Sequence, residues 1–235
     1  MSNLPIIQHP TFSVTLPLTK KSVIFRPFLV KEHKILMIAQ ESGTKEALYQ
    51  AVRQIATNCT FGQHKVETWP LAELMYFFTR LRAKSVGETI EFSLACANCK
   101  NEHKSSINFE KLDIVADPEH VSKIEMTDKI GIVMKEPDMM IDKILKTDMT
   151  PQQMEIAFIR YCIDYVYDET QTYKASEAEP GEVDALLENL TAQTYQKLQK
   201  FVQTIPTISY KHEYTCTKCQ HPNSLVLTEF SDFFG

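Results

Sequence analysis

The chain is poor in glycine, with six in 235 residues, and has a single tryptophan. So few and so scattered glycines cannot build a phosphate cradle. Neither G-x-x-x-x-G-K nor G-x-G-x-x-G occurs, and there is no G-x-S-x-G nucleophile elbow. No apolar run approaches the roughly 18 residues of a membrane span, so no membrane association is expected. Met1 to Pro10 lacks a basic stretch leading into an apolar core, so no signal peptide is expected. A cytosolic chain with reduced thiols follows as an expectation. Basic residues are outnumbered, 25 against 30, for a net charge of −5. That argues against broad nucleic-acid binding, which calls for a basic patch and a high isoelectric point. The seven histidines never pair at helical metal spacing. No convergent catalytic motif stands out, so no catalytic residue is nominated and a non-enzyme is expected.

What the chain does have is a doubled cysteine motif. Cys96-Ala97-Asn98-Cys99 and Cys216-Thr217-Lys218-Cys219 are both C-x-x-C. Alternating runs precede them, Thr89 to Leu94 and Thr207 to Thr215. Further runs follow, His103 to Phe109 and Asn223 to Phe230. The pattern twice reads strand, cysteine knuckle, strand. Zinc favours a tetrahedron of four thiolates or imidazoles, and two knuckles supply two thiolates each. We therefore expect Cys96, Cys99, Cys216 and Cys219 to hold one structural Zn2+ per chain, with a closed shell that leaves no catalytic position. Because more than a hundred residues part the knuckles, the ribbon is split and the segment between is an insertion. Loop-closure entropy grows only logarithmically, so a metal can close so long a loop. His103 and His221 lie near the knuckles and read as surface residues or as neighbours of the ligands. Cys59 and Cys162 fall in apolar helical patterns and read as core thiols. Redox pairs are disfavoured, since neither knuckle precedes a helical pattern.

Along the chain, residues 11–28 predict a hairpin, with a polar break at Thr19 to Ser22. A helix is expected over 25–42, with Ile35, Ile38 and Ala39 on one face and Lys31, Glu32, Lys34 and Gln40 on the other. Thr44 should cap a second helix to about Cys59. A third follows Trp69-Pro70, its face formed by Leu71, Leu74, Met75, Phe78 and Leu81. Val121 to Met134 predicts two short strands, and Pro137 a short helix. Thr150-Pro151-Gln152-Gln153 is a capping box. Its helix is expected to run through Ile163 and Val166 and, being apolar almost all round, to be buried. Asp168 to Asp184 reads as an acidic loop ahead of a short helix at Val183 to Leu190. Thr191 starts a last helix with Tyr195, Leu198, Phe201, Val202 and Ile205 on one face. Phe230, Phe233 and Phe234 near the end should dock on this chain or another.

The fold class expected is α+β. Residues 1–87 form an N-terminal β-hairpin and helical region, 88–112 with 206–235 the split zinc ribbon, and 113–205 a mainly helical insertion.

Arg26-Pro27-Phe28-Leu29-Val30-Lys31-Glu32, running into Lys34-Ile35-Leu36-Met37, resembles the opening of the baseplate hub subunits of T-even-type contractile-tailed bacteriophages. A β-hairpin leading into an R-P-F-x-x-x-E-x-K helix fits that family, as does the size. The resemblance implies a non-enzymatic structural or assembly protein of the baseplate hub. Its partners would be other hub proteins and the tape-measure protein. Its location would be the host cytoplasm during assembly, and afterwards either the virion tail baseplate, if the protein is retained there, or not, if it acts as an assembly chaperone. The motif brings no catalytic residues with it. The competing reading is a nucleic-acid-binding zinc ribbon, with Phe92 and Tyr214 beside Lys211 and Lys218. A metalloenzyme is a third.

Overall fold

The computed structural model describes residues 7–227. The chain divides into two compact units, one formed by the segments up to Ile114 and from Ile208 onward, the other by Val115–Thr207. The three phenylalanines near the end lie outside the described residues.

The first unit opens with a hairpin, β1 (Phe12–Thr15) and β2 (Ser22–Phe25), paired antiparallel from Phe12↔Phe25 to Thr15↔Ser22. Its turn is tight. The Leu16 N–H donates to the Lys21 carbonyl (2.9 Å) and the Lys20 N–H to the Leu16 carbonyl (3.0 Å), with Lys20 at φ +58°. Positive φ is uncommon outside glycine. Here it lets the chain reverse while Leu16 stays fully buried.

Three helices follow: α1 (Val30–Ser42), α2 (Lys45–Cys59) and α3 (Leu71–Ser85). The first starts at Val30, five residues later than the pattern suggests. Pro27 disfavours helical geometry at Arg26. The Leu29 N–H is then taken by the Glu32 carboxylate (2.9 Å). Glu32, expected on the solvent face, is fully buried. The Arg26 guanidinium donates to it at 3.0 Å. Burial pushes its carboxyl pKa up, but Arg26, the Leu29 N–H and Lys31 outweigh that and leave it below the ordinary range. The Arg and Glu of the R-P-F-x-x-x-E stretch are thus a buried ion pair, a packing signature. Leu36 and Ala39 face inward, whereas Ile38, expected beside them, is 66% exposed.

Thr44 caps α2 through the Ala47 N–H, and Val52, Ile55 and Cys59 are buried as the pattern requires. Pro70 sits at the cap of α3, one position before the first helical turn. The aromatic core is built edge to face, Phe25 on Phe77 (5.4 Å) and Trp69 on Phe77 (5.3 Å), the geometry ring quadrupoles favour. Glu73 of α3 is also fully buried. It accepts from the Leu18 and Thr19 N–H groups (2.6 Å each) and the Thr19 hydroxyl (2.8 Å). A helix carboxylate therefore fills the β1–β2 turn. Next come β3 (Thr89–Ala95) and β4 (Glu102–Asn108), paired antiparallel through the first cysteine turn. The chain leaves at β5 (Ile114–Val115).

The second unit is a four-stranded antiparallel sheet with helices. Its strands are β6 (Lys123–Glu125) and β7 (Gly131–Met134), then β8 (Ile163–Tyr167) and β9 (Thr172–Lys174), in that order. Between β7 and β8 runs α4 (Pro151–Cys162), opened by the expected capping box of Thr150 and Gln153. It stops at Cys162. The segment read as its last turn is instead β8, wedged between β7 and β9. Ile163, Tyr165, Val166 and Tyr167 are β-branched or aromatic and favour a pleated surface. Pairing with Met134, Val133, Ile132 and Gly131 satisfies their backbone. The acidic stretch read as a loop contributes β9. The insertion read as mainly helical thus holds a sheet. Pro137 leads only into a short 3-10 turn, Met139–Lys143.

Ile124, Ile132, Met134, Ile159, Cys162, Ile163, Leu198 and Phe201 form this unit's core. The last two come from α6 (Ala192–Gln203), capped by Thr191, which follows the short α5 (Glu182–Glu188). Gly131 is needed because the Tyr167 ring lies where its Cβ would stand. Burial pushes the Cys59 and Cys162 thiols up to about 12, as expected of inert core cysteines.

The chain returns through β10 (Thr207–Ile208) to β11 (Tyr210–Thr215) and β12 (Pro222–Leu227), a second cysteine-turn hairpin. The class is α+β, with helices beside small antiparallel sheets.

Candidate metal centre

Each cysteine turn closes with the same pair of backbone hydrogen bonds. In the first, the Cys96 N–H donates to the Asn101 carbonyl (2.9 Å) and the Lys100 N–H to the Cys96 carbonyl (3.0 Å). In the second, the Cys216 N–H donates to His221 (2.9 Å) and the Gln220 N–H to Cys216 (2.9 Å). Lys100 and Gln220 both take positive φ, +59° and +58°. The turn curls its own amides toward its first sulfur.

The structure brings all four predicted residues together. The sulfurs of Cys96, Cys99, Cys216 and Cys219 lie within 4.8 Å of one another. Across the two hairpins Cys96 Sγ stands 3.7 Å from Cys219 Sγ, and Cys99 Sγ 3.6 Å from Cys216 Sγ. A disulfide needs about 2.05 Å, so these are not bonded pairs. A tetrahedron with Zn–S bonds of about 2.3 Å has edges of about 3.8 Å. The cluster therefore has the dimensions of a four-thiolate cage. Cys96 and Cys216 are buried, and Cys99 and Cys219 are half-buried.

The surroundings favour thiolate at the first position of each turn. The Cys99 N–H, then the Asn98 N–H and the Asn223 side chain, bring the Cys96 thiol down to about 6 against the opposing effect of burial. The Cys219 and Lys218 N–H groups lower Cys216 likewise. At Cys99 the Asn101 N–H favours the thiolate, but the neighbouring sulfurs and burial prevail and push it to about 11. Four sulfurs this close cannot all ionise alone, and a divalent cation is the natural neutraliser. Binding requires the deprotonated form.

The two hairpins meet through inward side chains. The His103 ring stacks on Tyr214 with centroids 4.3 Å apart and 8° between planes. His212 Nε2 lies 2.7 Å from Ser105 Oγ, and the His212 ring meets Phe92 edge on at 6.2 Å. His103 is therefore an inter-hairpin contact. Strand alternation sends Phe92 and Tyr214 inward and Lys211 outward, where it pairs with Glu213. Phe92 and Tyr214 therefore do not share a strand face with Lys211.

Sequence reasoning missed Asn223. From β12 it reaches the other hairpin: its Oδ1 accepts the Ala97 N–H (2.9 Å) and its Nδ2 lies 3.6 Å from Cys96 Sγ. The available signal was positional, since Asn223 stands four residues beyond Cys219 as His103 stands beyond Cys99. His212 and Ser105 were also missed, as polar residues on an alternating face normally read as solvent.

An α+β chain whose two cysteine hairpins converge on one four-sulfur cage is defined by its architecture, without reference to a catalytic group. The family model described as T4 bacteriophage base plate protein matches residues 9–235. The chain belongs to that family, and is a phage baseplate protein. No curated protein and no solved structure gives a match. Among the described residues, no helix is long and apolar enough to cross a membrane.

Proposed function

We propose that this chain is a non-enzymatic structural or assembly subunit of the phage baseplate hub, stabilised by one zinc ion. Cys96, Cys99, Cys216 and Cys219 are the ligands. The hairpins β3–β4 and β11–β12 form a split ribbon, and the metal fixes the two to one another. The protein works by presenting surfaces to other hub proteins and to the tape-measure protein, in the host cytoplasm during assembly and then in the virion tail. In this reading residues 88–112 and 206–235 are the ribbon, 1–87 the hairpin and helical region, and 113–205 the insertion. The observation that carries it is the convergence of four sulfurs from distant parts of a baseplate-family chain. A closed thiolate shell leaves no open coordination position, which favours a structural over a catalytic ion.

The test is quantitative mass spectrometry of purified tails and isolated hub intermediates. Stoichiometric presence in the hub intermediate, and failure of hub assembly without this protein, are expected. Hubs that form normally in its absence would overturn the reading.

A further inference from the structure

The two cysteine hairpins share one backbone turn, and what differs seven residues beyond the first cysteine is informative. Aligning the first cysteines, Cys96 on Cys216, aligns His103 with Asn223. In the first hairpin that position stacks a ring on Tyr214. In the second it holds an amide that crosses to the opposite turn.

Asn223 makes three contacts there. Its Oδ1 takes the Ala97 N–H at 2.9 Å, and its Nδ2 reaches Cys96 Sγ at 3.6 Å and the His221 carbonyl at 2.9 Å. One planar group thus binds its own turn and the other turn together. The His221 carbonyl also receives the Cys216 N–H (2.9 Å) that closes the second turn. The amide therefore ties the closure of one turn to a ligand sulfur of the other. Because its donor and acceptor atoms are fixed on one plane, it admits one relative placement of the two hairpins. Groups that hydrogen-bond to ligands orient them and tune the ion, and losing one commonly costs about 10- to 100-fold in affinity.

We propose that Asn223 is the positioning residue of the metal centre. It sets the Cys96 sulfur and docks the first turn on the second, so that the four ligands are pre-arranged before an ion arrives. This rests on the metal reading above. The centre is asymmetric as a result, because this amide reaches a ligand sulfur of the first turn.

The test uses the full chain and cobalt(II), whose thiolate charge-transfer and ligand-field bands report both occupancy and tetrahedral geometry. Affinity is read by competition with a chelator of known strength. The unaltered chain should give the tetrahedral thiolate spectrum. Asn223→Ala should retain that spectrum with affinity about 10- to 100-fold lower. His103→Ala, which removes a stacking contact but no contact to a sulfur, should change affinity less than Asn223→Ala does. Asn223→Asp keeps an acceptor for the Ala97 N–H, loses the donor to sulfur and adds negative charge beside the thiolates; it should bind at least as weakly as Asn223→Ala. Hydrogen-exchange protection of α3 reports whether each variant is folded. Should Asn223→Ala fail to fold, the aspartate variant decides the matter. Equal cobalt affinity in folded Asn223 variants and the unaltered chain would overturn the proposal and leave the metal reading intact. An unaltered chain that gives no tetrahedral thiolate spectrum would overturn both.

Discussion

The turn at Leu16–Lys20 and the turns at Cys96–Lys100 and Cys216–Gln220 share one backbone. In all three the first residue's N–H donates five residues on, its carbonyl takes the N–H four residues on, and that fourth residue has φ near +58°. They differ in what occupies the concavity. In the cysteine turns it is the first sulfur, which receives the N–H groups of the third and fourth residues of the turn. In the first turn the position of that cysteine is Leu16, and the equivalent N–H groups, those of Leu18 and Thr19, go to the Glu73 carboxylate. The lesson is that this turn is an anion cradle, since converging amides present positive charge to whatever sits between them. The chain fills it with a helix side chain where a core is at hand, and with a cysteine sulfur where two hairpins pack on each other. A two-stranded hairpin alone is marginal in water. The β1–β2 hairpin leans on α3, whereas the cysteine hairpins depend on each other and, in the proposed metal centre, on an ion.

That contrast can be broken from either side. The largest effect should come from Cys96→Ser or Cys216→Ser, each expected to release the metal and separate the hairpins. Metal analysis and hydrogen exchange would read this as loss of protection over 89–108 and 210–227, with 12–25 unaffected. Chelation should give the same footprint. Protection lost equally in all three hairpins would erase the distinction.

Next in size is Arg26→Met, which takes the guanidinium from the buried Glu32 carboxylate, leaves it to the Leu29 N–H, the Asn58 amide and Lys31, and should cost up to about 3 kcal/mol in denaturant unfolding. Because the folded pKa of Glu32 lies below its unfolded value, the pair's stabilisation is present at neutral pH. It is lost as pH falls below the ordinary glutamate value of about 4.3 and through the folded pKa. The Arg26→Met penalty should therefore shrink in acid, and a penalty that stays constant would count against the pair.

Glu73→Gln leaves shape nearly unchanged but puts an amide where three donors converge. A loss of about 2 kcal/mol is expected, with metal content unaltered. Lowered metal content in this variant would mean the two kinds of turn are coupled after all. The smallest effect should be that of His103→Ala, about 0.5–1.5 kcal/mol for a lost stacked pair, measured as a shift in the melting of the metal-bound protein.

Much of the fold and the cage was legible in sequence because it rests on local rules. The cysteine spacing, the strand alternation around it and the Thr44, Thr150 and Thr191 caps each express chemistry within a few residues. What was hidden depends on distant partners. Glu32 reads as a solvent-facing charge until Arg26 comes to meet it, and nothing local singles out Glu73 until the β1–β2 turn closes on it. Ile163 to Tyr167 continues a helical apolar pattern, and only pairing with β7 and β9 makes it a strand. Asn223 is an ordinary strand residue until the other hairpin is placed beside it.

The most direct test of the four-thiolate metal centre is native mass spectrometry of the protein purified without chelator. One zinc ion per chain is expected, lost on denaturation and absent from Cys96→Ser. A metal-free mass, or one lighter by two hydrogens per cysteine pair, would contradict that centre and recast the cage as free thiols or disulfides.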